Sequence, residues 1–310
     1  MAIYTTQTIS GYNASPPSDD GAAETQNEAT WSGIKTKIGD PVRVLAQDIN
    51  TQLITSFATT ETRLGNLVDS FNYTGALCPH NNLKVEQTSS TSITVTADKL
   101  ALASTSDVQD IVESVSETIT ITTAGASGLD TGTEANSTWY HLFIISKDDG
   151  TVDGLMSTSA TAPTMPSGYI YKGYVGACYN NSSGNIADFV QAGNLVSSGG
   201  ITLVADGTAT SATSLNSTLA TAVPTTAQSA CGYMVVASSN TTAAFKWAFV
   251  TSNSAGFVHG ITGGNADTQV DGTQLAFGSY EIPMHVAQTY YYRVGATGTK
   301  VTITSSGWRF

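Results

Sequence analysis

The pattern of apolar positions predicts one long amphipathic helix between Asp40 and Phe71. Apolar side chains recur there every three or four residues, which places them in one stripe along a helix. Asp40 is a suitable N-cap, and Pro41 fits the first turn because its missing N–H has no helical partner there. No neighbouring segment offers a helix to cover the stripe, so we expect copies of the same chain to cover it. The stripe consists of Leu45, Ile49, Leu53, Phe57, Leu64, Val68 (with Leu67 as the alternative) and Phe71.

After residue 72 the chain reads as short strands bounded by turn residues. Residues 138–145 are almost continuously apolar, as expected of a strand that is buried on both faces. The Asp148-Asp149-Gly150 sequence that follows predicts a hairpin turn. Residues 107–115 also permit a short helix, but strand or loop is the preferred interpretation. Further strands are predicted at 83–85, 92–97, 118–122, 171–178, 232–237, 244–250, 288–294 and 300–304.

The sequence Ser197-Ser198-Gly199-Gly200 predicts a short flexible joint between two β-modules. Two halves with many short strands are typical of sandwiches or jelly rolls. The predicted fold is therefore mainly β. It has an N-terminal extended anchor, one α-helix that forms an oligomeric bundle, and two β-sandwich or jelly-roll-like modules. The corresponding boundaries are 1–39, 40–72, 73–196 and 197–310.

Composition and charge narrow the possible functions. Charged residues make up 12% of the 310 residues, about half the usual share, while 40% are hydrophobic, so the chain is not a disordered one. The net charge of −12 is spread evenly and no basic patch is present, which argues against nucleic-acid binding. No apolar run approaches the length of a membrane span, so we expect no membrane insertion. The N-terminus lacks the features of a signal peptide.

The residues that most often carry chemistry form no convincing constellation. The three cysteines, Cys78, Cys178 and Cys231, lie far apart, which favours buried free thiols in a reducing cytoplasm over disulfides or zinc. None of the four histidines has metal-type spacing. No nucleophile-elbow motif is present. We therefore expect no catalytic residue, no metal and no cofactor.

Three aromatic residues near the C-terminus are candidates for contact with a glycan. Alternation places Tyr290 and Tyr292 on one face of a strand and Tyr291 on the other. An exposed ring on a polar β-surface can stack on a sugar. Tyr290, Tyr292 and Trp308 are the candidates, although packing in the core or at a subunit interface is the favoured interpretation.

Residues 1–39 carry more anchoring side chains than a floppy tail usually does. Aromatic and aliphatic residues are scattered through a polar run, and turn-forming residues interrupt it. The segment buries too little to fold alone, so we predict an anchor that becomes ordered against a partner. The anchoring residues are Tyr4, Tyr12, Pro16, Pro17, Asp19, Asp20, Trp31 and Ile34.

The N-terminal fifth of the chain resembles a segment found in many bacteriophage and prophage virion proteins, especially tail-fibre and appendage proteins. The resemblance depends on Gly11-Tyr12-Asn13, the run from Pro16 to Gly21, Trp31, Lys35-Thr36-Lys37 and Gly39-Asp40-Pro41. Residues 128–132, 137–145 and the proline-containing loop up to Tyr169 are also similar to a β-module of phage fibres, where its role is structural. The resemblance implies a homotrimer, whereas the helix alone would also fit a dimer.

The expected function is that of a non-enzymatic virion protein: a homotrimeric tail fibre or appendage, assembled in the host cytoplasm. It would attach to other virion proteins through residues 1–39 and contact a host-surface glycan or another virion protein through its β-modules. A head fibre or capsid-decoration protein of the same build is the alternative. A glycan-cleaving spike is a third hypothesis, but it would require clustered acids in a groove, of which the sequence shows no sign.

Overall fold

The computed structural model divides the chain into two compact units, residues 1–61 and 62–310. In the first unit the described residues are Thr51, Gln52, Thr55 and Ser56, which are helical and exposed. In the second unit the structure describes residues 77–104, 109–211, 213–214, 216–238, 245–252, 259–265, 274–295 and 298–310.

The described part of the second unit is mainly β, which confirms the predicted fold class at this coarser level. In its first half the strands are β1 (His80–Asn81), β2 (Lys84–Ser89), β3 (Ser92–Ser104), β4 (Gln109–Thr120), β5 (Gly128–Leu129), β6 (Thr138–Ser146), β7 (Val152–Ser157), β8 (Tyr171–Asn180) and β9 (Phe189–Ala192). In its second half they are β10 (Leu195–Gly207), β11 (Thr213–Ser214), β12 (Ser229–Ser238), β13 (Phe245–Thr251), β14 (His259–Asn265), β15 (Gln274–Pro283), β16 (Tyr291–Val294) and β17 (Thr299–Arg309). A short helix, α1 (Asn216–Ala222), precedes β12.

The strands form one large mixed sheet and one small sheet. The large sheet has the strand order β15-β12-β17-β10-β9-β2-β3-β8-β6-β7-β5, and β1 and β4 also pair with β3. It is mixed because β5 pairs with β7 in parallel. The small sheet has the order β11-β16-β13-β14. The large sheet therefore runs through both halves of the second unit.

Strand β4 gives the first half a sandwich-like character. It pairs with β3 along most of its length, which confirms a strand rather than a helix after residue 108. On its inner face Ile119 packs directly over Gly154 of β7, a strand to which β4 is not paired in the described part of the chain. A side chain at position 154 would collide with Ile119, so this glycine permits the close approach of the two layers.

The buried strand and its turn were predicted correctly. Strand β6 is buried from Tyr140 to Ser146 on both faces, as its nearly continuous apolar sequence indicated. It pairs with β7 and β8 on its two sides. The turn between β6 and β7 is closed by hydrogen bonds from the Lys147 N–H to the Thr151 carbonyl and from the Gly150 N–H to the Lys147 carbonyl.

The predicted joint at residues 197–200 lies within strand β10 instead. Ser197 pairs with Val190 of β9 on one side and with Gly307 of β17 on the other. Backbone pairing on both sides holds Ser197 in the strand, and Gly199 and Gly200 fall in an irregularity of register between Ser197 and Ile201. The structure thus does not separate the two predicted modules at this place in the chain.

The predicted anchor and the apolar stripe lie outside the described residues. Both stay predictions, as does the helical bundle that the stripe would form. The four described residues of the helical segment are not stripe residues, and the Thr55 hydroxyl donates a hydrogen bond to the Thr51 carbonyl at 2.8 Å.

Candidate functional site

The three aromatic residues predicted to contact a glycan are buried. Tyr290 and Trp308 are 0% and 2% exposed, and Tyr292 is 8% exposed. The Tyr290 hydroxyl donates to the Ala230 carbonyl at 2.8 Å. Alternation correctly placed Tyr290 and Tyr292 on one face, but that face is covered by the rest of the unit. Burial agrees with core packing, the interpretation that the sequence favoured, and argues against the alternative of a glycan contact at these three rings.

The histidine with the most unusual environment lies in the core. His141 on β6 is buried, and its Nδ1 lies 3.2 Å from the hydroxyl of Tyr174, which in turn lies 2.9 Å from the hydroxyl of Thr226. Burial lowers the pKa of His141 to about 4, because an imidazolium would lose its hydration there. His141 is therefore a neutral member of a buried polar chain at physiological pH.

Two of the three thiols are buried, as predicted. Cys78 and Cys178 are buried and free, whereas Cys231 is half-buried and free. Burial raises the pKa of Cys78 to about 12 and raises that of Cys178 as well. Burial also raises the pKa of Cys231, and the nearby Glu281 carboxylate adds to this effect. Thiols in this state are poor nucleophiles. Among the described residues, no three His, Cys, Asp or Glu side chains are grouped so that they could hold a metal ion.

A pocket of about 520 Å³ opens on the surface of the second unit, and we call it the Trp139 pocket. Its volume falls within the range of about 300–1,000 Å³ that is typical of small-molecule sites. Residues from both halves of the unit line it, so it depends on the sheet that joins them. The lining residues are Gln87, Ser90, Trp139, Tyr179, Asn181, Asn185, Ile186, Ala187, Asp188, Phe189, Ser198, Gly199, Ile201, Thr221, Ala222 and Trp308.

Pairing between β6 and β8 positions the two accessible rings of the pocket. Trp139 and Tyr179 are register partners on these strands, and both are half-buried. Their ring centroids lie 5.2 Å apart. The Trp139 indole N–H donates to the Ala220 carbonyl of α1 at 2.8 Å, which fixes the orientation of the indole ring. The pocket therefore presents aromatic surface whose geometry is set before any ligand arrives.

An aromatic cluster supports this surface from the core side. Trp308 meets Trp139 edge-on at 5.4 Å and Phe310 edge-on at 6.2 Å. Phe310 in turn meets Tyr174 at 5.8 Å, and Tyr174 meets Phe143 at 5.5 Å. Edge-to-face pairs at these distances are favourable beyond the area that they bury. The cluster ties the pocket to the centre of the unit.

The loop after β8 supplies the polar side of the pocket. The Asn181 side-chain oxygen accepts hydrogen bonds from the backbone N–H groups of Ser183 and Asn185 at 2.9 and 3.2 Å. The Asn136 amide holds the same loop by donating to the Ser182 carbonyl at 3.0 Å. Asn residues favour such local turns. The loop is thus braced by its own side chains and by the segment before β6.

The pocket includes one buried polar group without a partner and one exposed carboxylate. The indole N–H of Trp308 is buried and has no hydrogen-bond partner in the described part of the chain. The carboxylate of Asp188 is exposed and likewise accepts no hydrogen bond from described residues. Among the described residues that line the pocket, Asp188 is the one charged residue, and none is Lys, Arg or His.

Sequence reasoning identified only one residue of this pocket as a candidate. Trp308 was named as a possible glycan contact, with core packing favoured, and its part in the pocket is that of a buried support. Trp139 was placed in the buried strand 138–145, where its half-exposed position at the start of the strand was missed. The polar pair Ser137-Thr138 before it was the available signal that this end of the strand approaches the surface.

Comparison of the chain with models of protein families, with curated proteins and with solved structures finds no match. No helix among the described residues is both long enough and apolar enough to cross a lipid bilayer.

Proposed function

We propose that the chain is a structural protein of a bacteriophage virion, a homotrimeric tail fibre or appendage without enzymatic activity. Residues 1–39 attach it to other virion proteins, and residues 40–72 associate with two further copies. The second unit makes the contact with the host surface. The observation that carries this proposal is the N-terminal sequence that resembles those of phage virion proteins and precedes a predicted helix with a single apolar stripe.

The properties of the second unit support a role in contacting the host surface. It is mainly β and combines few charges with many small hydroxyl-bearing residues, a composition that suits a displayed virion surface. Its pocket offers aromatic and amide side chains from a braced scaffold, which suits recognition of a glycan. A head fibre or capsid-decoration protein of the same build would share these properties, and its position on the particle distinguishes it.

Deletion of residues 1–39 should abolish incorporation into particles, because the anchoring side chains are removed while the helical stripe and the β unit are retained. A phage lacking the gene would be grown on hosts that supply either the full chain or the truncated chain. Purified particles would then be probed with an antibody against the second unit. Gold-labelled particles examined by electron microscopy would place the full-length protein on the tail or on the head.

The truncated protein must first be shown to be folded, by its circular dichroism spectrum and by a native mass equal to the same number of copies as the full chain. Full-length protein carrying Phe277→Ala, which removes an exposed ring of the second unit, serves as the control and should be incorporated normally. Equal incorporation of the truncated and full-length proteins would contradict the anchor.

A further inference from the structure

We infer that the Trp139 pocket binds an uncharged saccharide. The inference deepens the proposed host contact, and rests on the proposed function for the claim that the saccharide belongs to a host surface. The binding itself depends only on the chemistry of the pocket.

The aromatic side of the pocket suits the apolar face of a sugar ring. A pyranose presents C–H groups on one face and hydroxyls around its edge, so it requires an apolar surface beside polar groups. Trp139 and Tyr179 supply a half-exposed aromatic surface at a centroid separation of 5.2 Å. The hydrogen bond from the Trp139 indole to the Ala220 carbonyl holds this surface in place. A pre-oriented ring loses little freedom when a ligand stacks on it.

The polar side of the pocket suits the hydroxyl edge of a sugar. The Asn181 oxygen is occupied within its loop, so its amide N–H₂ is the part that remains to donate. The Asp188 carboxylate can accept from two hydroxyls at once, and it accepts nothing from the described residues. Sugar hydroxyls suit both side chains because each hydroxyl can donate and accept.

The negative charge of the pocket and of the chain favours uncharged saccharides over acidic ones. Asp188 carries the sole charge among the described lining residues, and the chain as a whole carries a net charge of −12. A sialic acid, a uronic acid or a phosphorylated sugar would meet a like charge without a cation to pair with, which is unfavourable. The same argument excludes a nucleic-acid ligand at this pocket. An uncharged saccharide is therefore the class that the pocket fits.

The inference is tested by ligand-observed NMR on the purified full-length protein. The probes are three uncharged trisaccharides (maltotriose, mannotriose and triacetylchitotriose) and two acidic ones (sialyllactose and trigalacturonic acid), each at up to about 10 mM. At least one uncharged probe should show saturation transfer, and both acidic probes should show less. Absence of transfer to every uncharged probe, or stronger transfer to an acidic one, would overturn the inference.

Variants then locate the binding. Trp139→Ala should weaken binding of the positive probe by about tenfold or more, because it removes the stacking surface. Phe277→Ala removes an aromatic ring that is 70% exposed and lies outside the pocket, so it should leave the affinity unchanged. Asp188→Asn changes no contact within the described protein and should weaken binding by about threefold. Asp188→Asn therefore keeps the test valid if Trp139→Ala fails to fold.

Unchanged affinity in both pocket variants would place the binding elsewhere and overturn the inference. Failure of the saccharide inference is distinct from failure of the proposed virion role, because the NMR experiment uses no particles and the particle experiment uses no saccharide. A chain that is incorporated into virions but binds none of the uncharged probes would refute saccharide binding at the pocket and leave the virion role intact.

Discussion

Replacing Gly232 by alanine should destabilise the protein by about 3 kcal/mol, the upper end of the usual cost of overpacking. Gly232 lies on β12, between β15 and β17. An added Cβ would collide with the Thr304 carbonyl oxygen and lie 2.6 Å from the Tyr280 hydroxyl oxygen. Tyr280 crosses this position because its hydroxyl donates to the same carbonyl at 3.2 Å. Strand β17 cannot easily move away, since β10 pairs with its other edge.

The measurement is the free energy of unfolding in urea, followed by circular dichroism. Gly199→Ala is the matched control, because Gly199 lies on β10 of the same sheet and an added Cβ meets nothing within 4 Å. The control should change the free energy of unfolding by less than about 1 kcal/mol. A Gly232→Ala protein as stable as the control would show that β12 and β17 are not packed as described.

The stability of the protein should fall as the pH is lowered from 7 to 4, and His141 should account for about 3 kcal/mol of this fall. Its pKa is about 4 in the folded state, against 6.5 for an unperturbed imidazole. Between these two values the unfolded chain binds a proton that the folded chain does not, so acidification favours unfolding. The contribution of neutral His141 to the free energy of unfolding is therefore complete above pH 6.5 and is lost progressively below it.

The His141→Gln variant tests this, because its amide is uncharged at every pH and can still meet the Tyr174 hydroxyl. Urea unfolding at pH 7, 5.5 and 4.5 should show a smaller fall for the variant than for the natural chain. His285 is exposed, so His285→Gln serves as the control and should retain the full pH dependence. If His141→Gln and the natural chain lose stability in parallel, the buried neutral imidazole is not responsible.

Local patterns in the sequence were sufficient to predict much of the β-structure. Strand β6 was predicted because a short apolar run indicates burial on both faces, and β3 because its residues alternate at period two. Strand β10 was interpreted as a joint, since Gly199 and Gly200 usually punctuate a chain. The neighbouring β9 and the sequence-distant β17 pair with β10 on its two sides at Ser197, and this pairing makes the segment part of a strand.

The Trp139 pocket was less predictable than the strands, because local patterns do not show which parts of the chain pack together. Alternation shows which residues share a face but not which face is covered, so a glycan contact stayed open for Tyr290 and Tyr292, which lie in the core. The pocket joins Trp139 from the first half of the unit with Trp308 from the second. The chain had been divided into two modules at residue 197, and no local pattern indicated that these rings would meet.

The native mass of the purified full-length protein, measured by light scattering during gel filtration, tests the central claim most directly. The claim is that the apolar stripe of residues 40–72 is buried between identical chains. Three chains of 32.1 kDa give an expected mass of about 96 kDa. A mass of 32.1 kDa, that of a single chain, would contradict the account.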